Sequence, residues 1–277
     1  LPRGSATDSA SLAVEPRPPV PDGLVVLTFD DSVKSHATVA APLLARHRFN
    51  ATFFITEGFT FSTNKRDYLT WDEIRGLHDA GFEIGNHTRD HLGVTPAALP
   101  KLKEQLVAID ERCVAHGIPR PVSFAWPGNA LTAEALPILK SHGIRFARRG
   151  GQPEFPYDQG RGVAYEPGVD HPLLIPSTGD ARPSWTIENL RRALDQARGS
   201  KVCVLQFHGV PEGEHPWVNT PKERFEEYVE ELARRHCQVI ALRELSRYVD
   251  PEVAPADPWE VIRGRVERLK TSASPAR

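Results

Sequence analysis

Seven short apolar runs, separated by helical stretches, are the feature that most restricts how this chain can fold. The runs lie at 24–29, 51–55, 83–86, 121–125, 144–147, 202–207 and 238–242. Helical spacing of apolar residues predicts helices at 35–47, 70–80, 96–116, 132–142, 186–198 and 221–236. The helix at 70–80 should begin with a capping box, because Thr70 is followed three residues later by Glu73. Strand–helix alternation of this kind predicts an α/β fold built on a parallel sheet.

Composition excludes several classes of protein. The chain has 277 residues, of which 25% are charged, and a net charge of −2, which gives no reason to expect nucleic acid as a partner. No run approaches the roughly 20 apolar residues that a membrane span requires. Cys113, Cys203 and Cys237 form no CxxC pair, so we expect no complete disulfide framework.

The chain divides into three parts, and one region within the central part differs in character from the rest. We interpret 1–22 as a tag remnant and flexible leader, 23–250 as a single domain, and 251–277 as a C-terminal helix and tail. The natural N-terminus is expected to have been removed, and a secreted or cell-envelope location is slightly favoured. The region 149–184 is dense in Gly and Pro and interrupts the alternation, so we expect this insert to shape or cover a site.

Two polar motifs follow predicted strands directly. Thr28-Phe29-Asp30-Asp31 ends the first strand, and His87-Thr-Arg-Asp-His91 follows the third. Two histidines four residues apart can place both imidazoles on one face of a helical turn, and an aspartate from a neighbouring strand would complete a metal site. The other aspartate of the Asp-Asp pair would then serve in proton transfer. Alone, however, an Asp-Asp pair is usually a turn or helix cap, and an HxxxH pair is more often not a metal site.

Two further motifs extend the pattern along the chain. Phe124-Ala-Trp-Pro-Gly128 and Leu205-Gln-Phe-His208 follow in an order that resembles the NodB-homology polysaccharide deacetylases, carbohydrate esterase family 4. The resemblance covers about 24–242. It implies a distorted (β/α) barrel, here with about seven parallel strands, and metal-dependent hydrolysis of N- or O-acetyl groups on sugars.

The resemblance also implies a role for each of five side chains. Asp30 would be the general base, His208 the general acid, and Asp31, His87 and His91 the metal ligands. Zn²⁺ is the usual cation of the family, and the same ligands also suit Fe²⁺, Co²⁺ or Ni²⁺.

Other positions are implied to contact the substrate. The N–H of Gly128 would stabilise the oxyanion, and Leu205 would line the pocket for the acetyl methyl group. Trp126, inside the third motif, is the best candidate for stacking on a sugar, ahead of Trp185 and Trp217. A plain Pro-Gly turn, a core leucine and ordinary aromatic packing are the alternatives for these residues.

One position departs from the family pattern. Ala125 stands where the family usually has an arginine that orients the base. Arg148 and Arg149, at the end of the next strand, are candidates to replace it, with a solvated basic turn as the alternative. Asp170 is a candidate for the family's aspartate that hydrogen-bonds the catalytic histidine.

The expected function is removal of an N-acetyl, or O-acetyl, group from an amino sugar or polysaccharide, with an acetylated saccharide as partner. A first alternative is hydrolysis of cyclic or other small non-sugar amides, which a small enclosed pocket would favour. A second alternative is an inactive carbohydrate-binding member of the family.

Overall fold

The structure is a computed structural model that describes residues 16–273. Residues 1–15 of the predicted leader and 274–277 of the predicted tail lie outside the described residues.

A parallel sheet forms the centre of the fold. Its strand order is β6-β5-β4-β3-β2-β1-β8-β7, with β9 paired to β1 off this path. The strands are β1 (Leu24–Phe29), β2 (Thr52–Ile55), β3 (Glu83–Asn86), β4 (Ser123–Ala125), β5 (Phe146–Arg149), β6 (Ile175–Pro176), β7 (Gly179–Asp180), β8 (Cys203–Phe207) and β9 (Gln238–Ile240). Six of the seven predicted runs contain a strand, and the run at 144–147 overlaps the first half of β5. The insert adds β6 and β7 while β9 lies off the path, so the path has eight strands, one more than the seven expected.

The insert joins the two edges of the sheet. β6 pairs with β5, and β7 pairs with β8. Between them, the Ser177 N–H donates to the Arg149 carbonyl (2.9 Å) and the Thr178 N–H donates to the Val204 carbonyl (2.7 Å). One short segment therefore bonds to both edges, and the sheet curls into the distorted barrel that the family resemblance implied.

Helices surround this sheet on its outer side. They are α1 (Ala41–Arg46), α2 (Trp71–Asp79), α3 (Leu99–Ala115), α4 (Ala135–Ser141), α5 (Ile187–Leu194), α6 (Lys222–Arg234) and α7 (Glu260–Ala273). The capping box predicted for α2 is present: the Glu73 N–H donates to Thr70 Oγ1 (3.2 Å) and the Thr70 N–H donates to Glu73 Oε2 (2.7 Å). Among the described helices, none has the length and apolar character that crossing a membrane requires.

The alternation of side chains along each strand separates an inner core from an outer one. In β1, Leu24 and Val26 belong to the inner core, a cluster that also includes side chains from other strands of the sheet. Val25, Leu27 and Phe29 instead pack against the helices. The inward positions that follow the inner core lie at the carboxyl ends of the strands, and their side chains line the top of the barrel. α/β barrels build their active sites at this end.

Candidate active site

A strained turn after β1 carries the two aspartates. Asp31 and Ser32 both have a left-handed backbone, with φ of 75° and 57°, which costs non-glycine residues roughly 1–2 kcal/mol each. Thr56 holds the turn, because Ser32 Oγ donates to the Thr56 carbonyl (2.7 Å) and accepts from its N–H (2.9 Å). The turn leaves Asp30 and Asp31 buried side by side.

The segment between His87 and His91 is not a helical turn, contrary to expectation. Thr88 and His91 have φ of 58° and 53°, and side-chain hydrogen bonds replace helical ones. Thr88 Oγ1 accepts from the Leu92 N–H (2.7 Å), and Thr56 Oγ1 accepts from the His91 N–H (3.0 Å). The loop nevertheless brings the two imidazoles together, with their centroids 4.9 Å apart.

Asp31, His87 and His91 form one cluster of ligand-type atoms. Asp31 Oδ1 lies 3.3 Å from His87 Nε2 and 3.4 Å from His91 Nε2. The three ligand atoms all lie within 4.8 Å of one another. A tetrahedral zinc site with bonds of about 2.1 Å has ligand atoms about 3.4 Å apart. Both measured Asp–His spacings fit such a site.

The surroundings of these atoms also fit a cation. His87 Nδ1 lies 2.8 Å from the Ala125 carbonyl, to which it can only donate, so Nε2 is the ring nitrogen that faces Asp31 and is placed to bind a cation. Burial, and next the charge of His87, lower the pKa of His91 to about 4, which leaves its imidazole neutral near pH 7. Asp31 Oδ1 is buried without a hydrogen-bond donor among the described residues. A divalent cation would satisfy this oxygen.

Arg148 supplies the cation that the third motif lacks. Its guanidinium Nη2 donates to Asp30 Oδ1, and both side chains are buried. Arg148 reaches this point because it is the register partner of Ala125 on the neighbouring strand. Burial alone would raise the pKa of Asp30, but the charge of Arg148, assisted by His87, holds it below its ordinary value. Asp30 is therefore ionised, as a general base must be.

Arg149 does not take part, because the alternation of β5 turns it the other way. Its guanidinium pairs with Glu154 at 2.6 and 2.9 Å and donates to the carbonyls of Gln152 and Leu174. Of the two candidates, only Arg148 contacts Asp30. Arg149 instead anchors the start of the insert.

His208 lies across the site from the cluster. Its Nε2 is 3.9 Å from Asp30 Oδ2 and 3.9 Å from Asp31 Oδ2. Asp170 is not its partner, because Arg265 of α7 binds that carboxylate at 2.6 and 2.9 Å. The carboxylate beside His208 is Asp180, whose Oδ1 lies 3.9 Å from His208 Nδ1. Asp180 is the second residue of the two-residue strand β7 inside the insert, and so short a strand gives no periodic signal in the sequence.

The three residues expected to contact the substrate have surroundings that differ from one another. Gly128 lines the cavity above the site and has a left-handed φ of 58°. Trp126 forms part of the same wall but is 1% exposed, and its Nε1 donates to the Leu173 carbonyl (2.9 Å). It is therefore packing and not a stacking platform. Leu205 points into the outer core, because Gln206 and His208 take the inward positions of β8, and it does not line the cavity.

The site forms the floor of a cavity of about 250 Å³, which we call the catalytic cavity. Much of its wall comes from the insert, including Gln152, Tyr157 and Arg161. Two other aromatic side chains, Phe59 and Trp217, lie at the same cavity. Together with Tyr157 they are the exposed aromatic side chains of residues 16–273, at 45%, 58% and 46% exposure respectively. Trp185, by contrast, is buried in the outer core.

The residue set of the site defines a class of protein, and comparison with known proteins gives a family match for part of the chain. A buried carboxylate and a histidine beside an Asp-His-His cluster is the residue set of a hydrolase that activates water. Residues 17–147 match the family model described as polysaccharide deacetylase. The match covers just under half of the chain and confirms, over that segment, the resemblance inferred from the motifs.

Individual relatives are more distant. A peptidoglycan-N-acetylglucosamine deacetylase of Bacillus cereus is 24% identical over 123 residues, which are 44% of this chain and 54% of that protein. The chain thus matches about half the length of this curated relative.

Solved structures share the fold. A family 4 acetyl xylan esterase from Clostridium thermocellum, in complex with a cobalt ion, is 20% identical with a TM-score of 0.53, covering 83% of this chain and 95% of that one. A CE4 family pseudoenzyme from Bacillus anthracis is 16% identical with a TM-score of 0.53, covering 83% and 67%.

Proposed function

We propose that this protein removes acetyl groups from a saccharide, in the first place the N-acetyl group of an amino sugar, using a divalent cation held by Asp31, His87 and His91. The observation that carries the proposal is the convergence of these three side chains with Asp30 and His208 on the floor of one cavity. Zn²⁺ is the cation we propose. When bound, it would polarise the acetyl carbonyl and acidify the attacking water.

The protein's own groups would move the protons. Asp30, kept ionised by Arg148, accepts a proton from water as the oxygen bonds to the acetyl carbon. His208, on the other side of the site, donates a proton to the departing amine nitrogen or alcohol oxygen. The carbon–nitrogen or carbon–oxygen bond breaks, and the products are acetate and the free amine or alcohol. The N–H of Gly128 is the proposed donor to the carbonyl oxygen.

The exposed aromatic side chains support a saccharide as substrate. Phe59, Tyr157 and Trp217 present rings at the mouth of the catalytic cavity, where the apolar face of a sugar ring can pack against them. This assigns to Trp217 the role that sequence reasoning preferred for Trp126.

A second candidate is hydrolysis of a small amide that is not a sugar. The volume of the catalytic cavity, about 250 Å³, lies just below the roughly 300–1,000 Å³ of typical ligand pockets. The insert walls one side of the cavity, which favours a compact substrate or the end of a chain over the middle of a polymer.

One panel of assays separates these candidates. Acetate release is measured from N-acetylated amino sugars and oligosaccharides, O-acetylated xylan fragments, and small linear amides, and ring opening is followed for cyclic amides. Each is measured after chelation and again after addition of Zn²⁺, Co²⁺, Ni²⁺ or Fe²⁺. We expect metal-dependent acetate release from a saccharide. Turnover of amides alone would favour the second candidate, and binding of saccharides without any turnover would favour an inactive carbohydrate-binding protein.

A further inference from the structure

A second depression lies on the insert, next to the catalytic cavity. It measures about 260 Å³, and its lining includes Phe155, Arg161, Trp185, Asn189, Arg192 and Gln196. We call it the insert cavity. The two cavities share Gly160 and Arg161. A ligand that fills one cavity can therefore extend a substituent towards the other.

The charge of the insert cavity is positive. Two arginines and no carboxylate line it. Within residues 16–273, neither Arg161 nor Arg192 forms an ion pair or a side-chain hydrogen bond. Arg161 is also held in place, since its guanidinium lies 4.8 Å from the centre of the Phe155 ring. Stacking of this kind leaves the N–H edge of the guanidinium free to bind a ligand.

Positive charge alone does not define a site, because Arg120 is also an exposed arginine that forms no ion pair with any residue from 16 to 273. The distinguishing feature is a buried donor. Trp185 is 3% exposed, and its indole Nε1–H has no acceptor among the described residues. Leaving such a donor unsatisfied costs roughly 1–3 kcal/mol. A ligand oxygen in the insert cavity would remove this cost while it pairs with the guanidinium groups.

The residues that line both cavities connect the insert cavity to the candidate active site. The Asp180 N–H donates to the Gly160 carbonyl at 3.0 Å, and Asp180 is the carboxylate beside His208. An anion bound by Arg161 would therefore lie against the segment that holds Asp180. Because Arg161 also lines the catalytic cavity, such an anion would lie next to that cavity.

We propose that the insert cavity is an anionic subsite, which binds a carboxylate or phosphate substituent of the saccharide whose acetylated ring lies in the catalytic cavity. This proposal rests on the proposed deacetylase function. It assigns the substrate to the class of acidic acetylated saccharides. Arg161 and Arg192 pair with the anion, and the Trp185 indole donates a hydrogen bond to it.

Kinetics with a matched pair of substrates test the subsite. An N-acetylglucosamine–glucuronic acid disaccharide is compared with its carboxyl-reduced analogue. We expect kcat/KM to be about tenfold higher for the acidic disaccharide, mostly through KM, as one partly exposed charge-assisted pair contributes. In the Arg161→Gln/Arg192→Gln double variant the ratio should fall to about 1, whereas Arg120→Gln should leave it unchanged. A wild-type ratio of 1, or a ratio that the double variant preserves, overturns the proposal.

A binding measurement keeps the test independent of turnover. The chain has five tryptophans, and Trp185→Phe identifies which indole N–H resonance belongs to Trp185. Titration with the non-acetylated acidic disaccharide should shift that resonance, in the wild type but not in the double variant. A shift with inorganic phosphate but not with the disaccharide would reduce the site to a free-anion site, and no shift with either would refute it. If no saccharide is deacetylated but the disaccharide still shifts the resonance, the deacetylase proposal fails while the anion site stands.

Discussion

Replacing Arg148 by methionine tests whether the base depends on a cation from the neighbouring strand. Methionine keeps much of the volume of the arginine stem and removes only the guanidinium. The Arg148 and Asp30 side chains are 1% and 3% exposed, so water cannot replace the lost partner easily. We expect the variant to fold, to bind metal and to lose most of its turnover.

The size of the loss follows from the geometry. Two unit charges about 4 Å apart attract by about 4 kcal/mol at an effective dielectric constant of 20. Part of this stabilisation of Asp30 remains, because Gln206 Nε2 still lies 3.3 Å from Asp30 Oδ2. We therefore expect the ionised form of Asp30 to lose about 3 kcal/mol of stabilisation, which raises the pKa of Asp30 by roughly two units. At a pH below that raised pKa, kcat/KM should fall by up to roughly 10²-fold, because less of the base is ionised.

The assay is kcat/KM for acetate release at saturating Zn²⁺, with bound metal and the melting temperature measured in parallel. Arg145→Met is the matched control, because Arg145 lies just before β5, is exposed and forms no ion pair within residues 16–273. If Arg148→Met keeps its metal and remains within threefold of the wild type, Arg148 does not position the base.

A swap of positions makes the test more stringent. Ala125 and Arg148 are register partners on adjacent parallel strands, so their Cα atoms are about 4.8 Å apart. An arginine at position 125 can therefore reach Asp30 once Arg148 is shortened. We expect Ala125→Arg/Arg148→Ala to recover at least tenfold over Arg148→Ala alone. Ala125→Arg by itself should destabilise the protein, because it adds a long side chain to a filled interior.

Other predictions concern single groups. Asp30→Asn should keep one bound metal and lose most turnover, and metal analysis by mass spectrometry checks whether the two aspartates have been assigned correctly. His208→Ala should lower kcat by roughly 10²–10⁴ on an N-acetyl substrate, with a smaller loss on an ester, whose alcohol leaves more easily; equal losses would argue against the acid role. Chelation should abolish activity, and Zn²⁺ should restore it in the wild type but not in His91→Ala. Burial raises the pKa of Glu83 above its ordinary 4.5, so the folded chain holds this proton to higher pH than the unfolded chain does. The free energy of unfolding of the wild type, relative to Glu83→Gln, should therefore fall as pH rises from about 4.5, and urea denaturation from pH 4.5 to 8 measures the difference.

Most of the barrel could be predicted because its strands are local apolar runs between helix stops. The exceptions are β6 and β7, whose two residues each carry no periodic signal. They exist because the segment around Ser177 bonds to β5 on one side and β8 on the other. Only the closed tertiary structure supplies both partners, so no local pattern could reveal these strands.

Alternation along strands explains which site residues were anticipated. The structure brings Asp30, Asp31, His87, His91 and His208 together, although their roles stay predictions until they are measured. Counting alternate positions back from an inward His208 would have placed Leu205 outside the barrel. The same count on β5 separates Arg148 from Arg149. Asp180 could not be found in this way, because its strand is too short to count along.

The insert lines both cavities and also closes the barrel, so the proposed substrate site and the stability of the barrel depend on one segment. Its main chain closes the sheet, its Asp180 lies beside His208, and its side chains wall both cavities. A change to the backbone of the insert would therefore both open the barrel and displace Asp180. Specificity can change at lower cost at Tyr157 and Arg161, whose side chains are exposed at the cavities. The arginine that pairs with Asp30 stands at position 148 and not at its neighbour, position 125, and the same logic applies to it. Neighbouring inward positions of a barrel can exchange a function without any change in the strands that carry them.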